Sequence, residues 1–147
     1  MISSNFLKRS IYRSHKGSII AEAALIIPIL VGVTFFIIEF GNVLYLTNTL
    51  NQIARTAARY ASVTSSYTQQ QLIDVSGANA LLPDISKFTL TIDPVPGAQR
   101  SVGAPITVNV QYNYIPIINP FGLFNSDQSW TPIIKGGSVS RSEVSNA

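Results

Sequence analysis

The feature that most constrains this chain is a long apolar run close to its N-terminus. Residues 23–38 are sixteen consecutive positions without a charged side chain. About twenty apolar residues, each rising 1.5 Å, form a helix that can cross the hydrocarbon core of a membrane. Together with its less apolar flanks, the run predicts a transmembrane helix over residues 18–46. The same helix is predicted to continue outside the membrane over residues 47–63.

A basic segment precedes the apolar run and predicts its orientation. Residues 1–17 carry four positive charges and no negative one. Positively charged flanks stay on the cytoplasmic side of a membrane. A cleaved secretory signal has a shorter apolar region of about 7–15 residues, followed by a small-residue cleavage site that is missing here. We therefore predict a single-pass anchor in a bacterial inner membrane, with a cytoplasmic leader and a periplasmic C-terminal part.

The composition argues against catalytic, metal and nucleic-acid sites. The chain has no cysteine and a single histidine, His15, which lies in the basic leader. The rest of the chain therefore lacks thiolate and imidazole groups for metal binding or general-base catalysis. After residue 63, four cations face five acids, so no basic patch suggests nucleic-acid binding. We expect no enzyme activity, no cofactor, no metal and no small-molecule substrate.

The helix outside the membrane is predicted to carry two different faces. Arg55 and Arg59 lie one turn apart on one of them. We interpret these arginines either as a solvated or lipid-facing surface, or as partners for acids of a neighbouring subunit. Apolar residues recur every three or four positions on another face. The members of this apolar stripe are Leu46, Leu50, Ile53, Ala57 and Ala61.

Residues 64–147 are predicted to form a small domain that begins with a short helix. Thr68 and Gln71 have the spacing of a capping box, in which two side chains satisfy backbone N–H groups at a helix start. Pro83 is the predicted end of this helix, because proline cannot continue the backbone hydrogen bonding. Its buried side is expected to consist of Leu72, Val75, Leu81 and Leu82.

The remainder of the domain is predicted to form three antiparallel strands. Residues 88–92 and 106–114 alternate apolar and polar side chains, as half-buried strands do. A third strand is predicted over residues 130–134 and on through 138–142, with Gly136 and Gly137 marking a bulge or bend. Such a sheet needs a cover on one face, which the two helices can provide. The predicted fold is therefore α+β: a long N-terminal transmembrane helix continuing into a small domain with a short helix and a three-stranded sheet.

A glycine and two glutamates stand out at the ends of the apolar run. Gly17 is followed five residues later by Glu22, where the basic leader meets the run. A carboxylate costs about 2.5–3.5 kcal/mol in the middle of a membrane helix, which favours a specific role for one placed at its edge. Glu39 lies about 31 Å from Ser18 along an ideal helix, near the opposite interface. We interpret Glu39 either as an acid hydrated at that interface or as a contact with a neighbouring subunit.

Three segments together resemble a known family. Residues 16–28 read KGSIIAEAALIIP, residues 38–41 read IEFG, and residues 54–61 read ARTAARYA. The first segment is similar to the processing site of the prepilin class. All three together resemble the TadE/TadG-like family of the tight-adherence (Flp) pilus system, in its short TadE type. The similarity is close over residues 16–62, whereas the rest of the chain matches only in its general plan.

The resemblance implies a minor pseudopilin with a pilin-like fold that is needed for pilus assembly. A prepilin peptidase would cut the chain after Gly17, so that the mature protein begins at Ser18. The Glu22 carboxylate of one subunit would then pair with the new Ser18 amino group of its neighbour, since pairing makes both charges less unfavourable in lipid. The implied partners are the peptidase, other pilin or pseudopilin subunits, the assembly platform and inner-membrane lipid.

The residues themselves leave two alternatives open. The Glu22 carboxylate could simply lie at the level of the lipid headgroups. The chain could also be an unprocessed, signal-anchored periplasmic binding or adhesion module. An uncleaved Gly17 and a function independent of a pilus would indicate that module. Whether the processed chain enters the filament or stays in the membrane is likewise open.

Overall fold

The fold agrees with the predicted α+β plan. The computed structural model describes residues 14–117 and 131–145, so most of the basic leader and the predicted strand start at Trp130 lie outside it. The three helices are α1 (Ser14–Val63), α2 (Gln69–Val75) and α3 (Ala78–Leu81). A 3₁₀ turn at Ile85–Lys87 precedes the three strands, β1 (Phe88–Asp93), β2 (Pro105–Asn113) and β3 (Ile133–Arg141). A long apolar helix followed by a short helix and a three-stranded antiparallel sheet confirms the prediction.

The chain divides into two compact units, and the first consists of Met1–Ile38. Its described part is entirely helical, and α1 runs through Pro28 without a break. Among the described residues, one helix, Gly17–Val63, is long and apolar enough to cross a membrane. Its most apolar window has a mean hydropathy of 2.5, and none of that window is buried within the protein. Exposed apolar side chains of this kind are what a lipid-facing helix presents.

The second unit, Glu39–Ala147, holds the hydrophobic core and is called the C-terminal unit below. The outer half of α1 contributes the predicted apolar stripe, whose five members are all at most 4% exposed. The sheet contributes Leu90, Val108 and Val110 to the same core. Leu46 and the partly buried Val43 also pack into it. The C-terminal unit therefore includes several helical residues that precede position 47.

The short helix begins as the sequence predicts. The Thr68 hydroxyl accepts the Gln71 backbone N–H at 3.2 Å, and the Gln71 side chain accepts the Thr68 backbone N–H at 2.9 Å. This reciprocal pair confirms the capping box. Gly77, two residues after Val75, adopts a φ of 74° and separates α2 from α3. Glycine reaches this left-handed conformation without strain.

The predicted buried side of the short helix is only partly right. Leu72 and Leu82 are buried, and Leu81 is half-buried. Val75 is 47% exposed, so its predicted burial is wrong. The left-handed Gly77 changes the chain direction shortly after Val75. The fully buried Ala78 packs into the core instead of Val75.

The sheet is a simple meander with strand order β1-β2-β3. In β3, Gly136 pairs with Val110 and Gly137 with Asn109, without an inserted residue. The predicted bulge or bend at these glycines is therefore wrong. A Cβ atom on Gly136 would lie 3.0 Å from the backbone carbonyl carbon and the Cβ of Leu50. The glycine is explained by the close approach of α1 to the sheet.

Replacing Gly136 with alanine is expected to lower the free energy of unfolding of the C-terminal unit by about 1–3 kcal/mol, because the added methyl group overlaps the α1 backbone. The measurement is thermal or urea unfolding of the full chain in detergent. Gly137→Ala is the matched control, since a Cβ there meets the side-chain oxygen of Asn109 at 3.2 Å and no backbone atom closer than 3.5 Å. Equal destabilisation by both substitutions would contradict this account.

Candidate functional site

The predicted processing site lies at the start of the described helix. Gly17 lies in the helix and is exposed. A Cβ atom added to it would meet no atom of the described residues within 4 Å. Ser18 and Glu22 are exposed as well, four residues or about 6 Å apart along one helix face. Within the part of the chain that the structure describes, Glu22 makes no ion pair. Cleavage after Gly17 and pairing of Glu22 therefore stay predictions.

Glu39 makes a contact that neither predicted role included. Its Oε2 atom accepts the backbone N–H of Ile117 at 3.2 Å, which links α1 to the segment that follows β2. Its other oxygen, Oε1, is buried without a well-formed hydrogen bond to the described residues, and so is the hydroxyl of Tyr114. Burial and then the neighbouring Glu39 carboxylate raise the pKa of Tyr114 to about 12. Glu39 thus has an intramolecular partner, and one of its two carboxylate oxygens is buried.

The structure leaves the arginine pair on the surface. Arg55 and Arg59 are both exposed, and neither forms an ion pair with any residue in the described ranges. Along α1 they lie about 24 Å and about 30 Å beyond Glu39. Charges in water are largely screened beyond about 8–10 Å at physiological salt. At these distances neither arginine interacts appreciably with the Glu39 carboxylate, and both interpretations of the pair stay predictions.

Arg100 is the charged residue that sequence reasoning missed. It lies in the loop between β1 and β2 and is only 5% exposed. Its guanidinium donates to the Tyr67 hydroxyl at 3.2 Å and to the Thr64 carbonyl, and it lies 4.9 Å from the centre of the Tyr67 ring. These contacts hold the loop against the chain that leaves α1. A single cation in a glycine- and proline-rich loop gives no local signal of such burial.

A cleft in the C-terminal unit is the second feature that the sequence did not indicate. Its volume is about 380 Å³, and its lining residues come from α1, from the α3 region and from the segment after β2. They are Asn42, Tyr45, Leu46, Ala80, Leu81, Leu82, Pro83, Tyr114, Ile115 and Ile117, and none of them is charged. Among the described residues, no group of three or more His, Cys, Asp or Glu could hold a metal ion.

Comparison with known proteins places the predicted site residues in one family segment. Residues 17–59 match the family described as TadE-like protein. No curated protein and no solved structure matches the chain. The matched segment contains every residue that the sequence singled out for a role, namely Gly17, Ser18, Glu22, Glu39, Arg55 and Arg59. Over residues 17–59, the chain is similar to the TadE-like family.

Proposed function

We propose that this protein is a minor pseudopilin that takes part in the assembly of a tight-adherence (Flp) pilus. The TadE-like match supports a role in a Tad pilus system. The long apolar helix supports anchoring of the chain in a membrane. In this role the protein starts, primes or anchors assembly and does not catalyse a reaction. It contacts other pilus subunits and the assembly platform.

The observation that carries this proposal is the position of Gly17, five residues before Glu22, where the basic leader meets the apolar run. A glycine inside a helix is less favourable than alanine by about 0.5–1 kcal/mol. Gly17 has no positive φ, and among the described residues it has no close neighbour that would require a glycine. Its position five residues before Glu22, at the end of the basic leader, is what a prepilin peptidase recognises in the proteins that this chain resembles. Processing explains the glycine where packing does not.

Cleavage after Gly17 would leave a mature chain of 147 − 17 = 130 residues that begins at Ser18. The cut occurs on the cytoplasmic side of the inner membrane, while the C-terminal unit lies in the periplasm. The new α-amino group at Ser18 then becomes available to the Glu22 carboxylate of a neighbouring subunit. The processed chain is anchored by the transmembrane helix over residues 18–46 and presents its folded part to the assembly machinery.

The test is intact-protein mass spectrometry of the chain from cells with and without the prepilin peptidase. We expect a 130-residue protein in the first strain and the full 147 residues in the second. Gly17→Val is expected to block the cut. Gly32→Ala is the matched control, because Gly32 is a second exposed helical glycine without a neighbour within 4 Å. An N-terminus at Met1 in both strains would contradict the proposal and favour an unprocessed anchored module.

A further inference from the structure

We propose that the C-terminal unit rests on the membrane leaflet next to it, and that lipid fills the cleft described above. The surface concerned is the cleft together with its exposed apolar rim, the side chains of Tyr45, Ile115 and Ile117. This inference requires insertion of the apolar run of residues 23–38 into a membrane. It does not require processing after Gly17 or a role in a pilus.

The first step is the unusual exposure of the rim. Tyr45, Ile115 and Ile117 are 58%, 55% and 67% exposed, although all three line the same cleft. The floor below them is apolar too, since Leu46 and Leu82 are at most 6% exposed. Soluble proteins rarely leave large contiguous apolar patches in water, and such patches mark surfaces that contact a partner or a membrane.

The second step is the depth of the cleft along the helix. Glu39 directly follows Ile38, the last residue of the apolar run. Asn42 and Tyr45 follow Glu39 by three and six residues, which is about 4.5 Å and about 9 Å of helix. The hydrocarbon core is about 30 Å thick in a bilayer of about 40–45 Å, so each headgroup layer measures about 5–8 Å. The helical wall of the cleft therefore lies within and just above the headgroup layer.

The third step is the chemistry of the surface at this depth. The lining residues of the cleft carry no charge, and the amide of Asn42 and the hydroxyls of two tyrosines are their polar side-chain groups. Tyrosine is enriched at this level of membranes, because its ring enters the apolar region while its hydroxyl stays hydrated. The Glu39 hydrogen bond to the Ile117 backbone fixes the segment that carries both isoleucines against the same part of α1. The geometry matches the edge of a lipid layer.

Lipid also has an advantage over any other occupant. The anchor keeps the C-terminal unit beside the membrane, so contact with lipid requires no second binding event. The free energy of such a contact grows with the apolar area removed from water, at about 25 cal/mol per Å². A second copy of the chain or another protein would first have to displace lipid from the rim.

The test uses the absence of cysteine from the chain. Single cysteines are introduced into the full chain as Ile117→Cys, Thr91→Cys and Ile37→Cys, and each is labelled with an environment-sensitive fluorophore. Thr91 is exposed on β1, while Ile37 lies in the apolar run. Ile117→Cys retains the backbone N–H that Glu39 accepts. The labelled proteins are placed in lipid vesicles with and without lipids that carry a spin label just below the headgroup.

We expect the spin-labelled lipid to quench the label at position 117 several-fold more than the label at position 91, with emission at a shorter wavelength. The label at position 37 reports insertion. Equal quenching at 117 and 91, with strong quenching at 37, would overturn the proposal and leave the anchor intact. Absence of quenching at 37 would overturn it as well, because the span itself would be missing. A signal at 117 that depends on protein density and not on spin-labelled lipid would instead identify a second copy as the occupant.

Discussion

Glu22→Ala is expected to abolish pilus assembly while the chain still inserts into the membrane. Ser18 and Glu22 lie four residues, or about 6 Å of helix, apart on one face, so the proposed cut would expose an amino group one turn from this carboxylate. In the proposed assembly, the carboxylate of one subunit would pair with the amine of the next, and both charges would become less unfavourable in lipid. Removal of the carboxylate leaves the neighbour's amine without its partner.

The experiment counts pili by electron microscopy and measures the membrane-bound chain by immunoblotting of cell fractions. Glu22→Gln should fail in the same way as Glu22→Ala, because the side chain keeps its size but loses its charge. Glu39→Gln is the matched control on the same helix. Its amide oxygen can still accept the Ile117 N–H, so assembly should persist. Normal piliation in the Glu22 variants would rule out the pairing role.

Features that depend on neighbours in sequence could be predicted from the chain alone. The helix follows from a run of apolar residues, and the capping box follows from Thr68 and Gln71 three positions later. The alternation in residues 88–92 and 106–114 places both strands because side-chain direction alternates with a period of two residues. In each case the signal and the structure it predicts lie within one segment, and tertiary contacts only reinforce them.

Features that depend on distant parts of the chain could not be predicted. Ile117 is 78 residues from Glu39, and Arg100 is 36 residues from Thr64, so neither partner follows from a local pattern. The role of Gly136 could not be predicted for the same reason. Glycine in a strand indicates either a bulge or a close backbone approach, and only the position of α1 over β3 decides between them.

The candidate site divides in the same way. Gly17 and Glu22 stand out because they lie five residues apart at the junction of a basic leader and an apolar run. The cleft does not, because its walls come from three segments that are far apart in sequence. The exposure of Ile115 and Ile117 does not follow from a local sequence pattern. Their exposure and their position beside Glu39 depend on the tertiary structure.

Arg100→Met is expected to cause the largest loss of stability in the C-terminal unit, about 2–4 kcal/mol. The substitution keeps an unbranched side chain but removes the charge and the donors to the Thr64 carbonyl and the Tyr67 hydroxyl. A buried polar group left without its partner costs about 1–3 kcal/mol. The cation above the Tyr67 ring adds about 1 kcal/mol or more. The midpoint of thermal unfolding in detergent should fall by about 10 °C or more.

Arg141→Met is the matched control, because Arg141 is exposed on β3 and its replacement should change stability by at most about 0.5 kcal/mol.

A second readout, the pKa of Tyr67, separates the loss of the cation from a general loosening of the fold. Burial raises the pKa of Tyr67, while the charge and hydrogen bond of Arg100 lower it. Arg100→Met should therefore raise the pKa of Tyr67 further if the ring stays buried, whereas general loosening would hydrate the ring and lower that pKa. A lower pKa would show that the fold around Tyr67 loosens, and equal destabilisation by both substitutions would show that Arg100 does not hold the loop through these contacts.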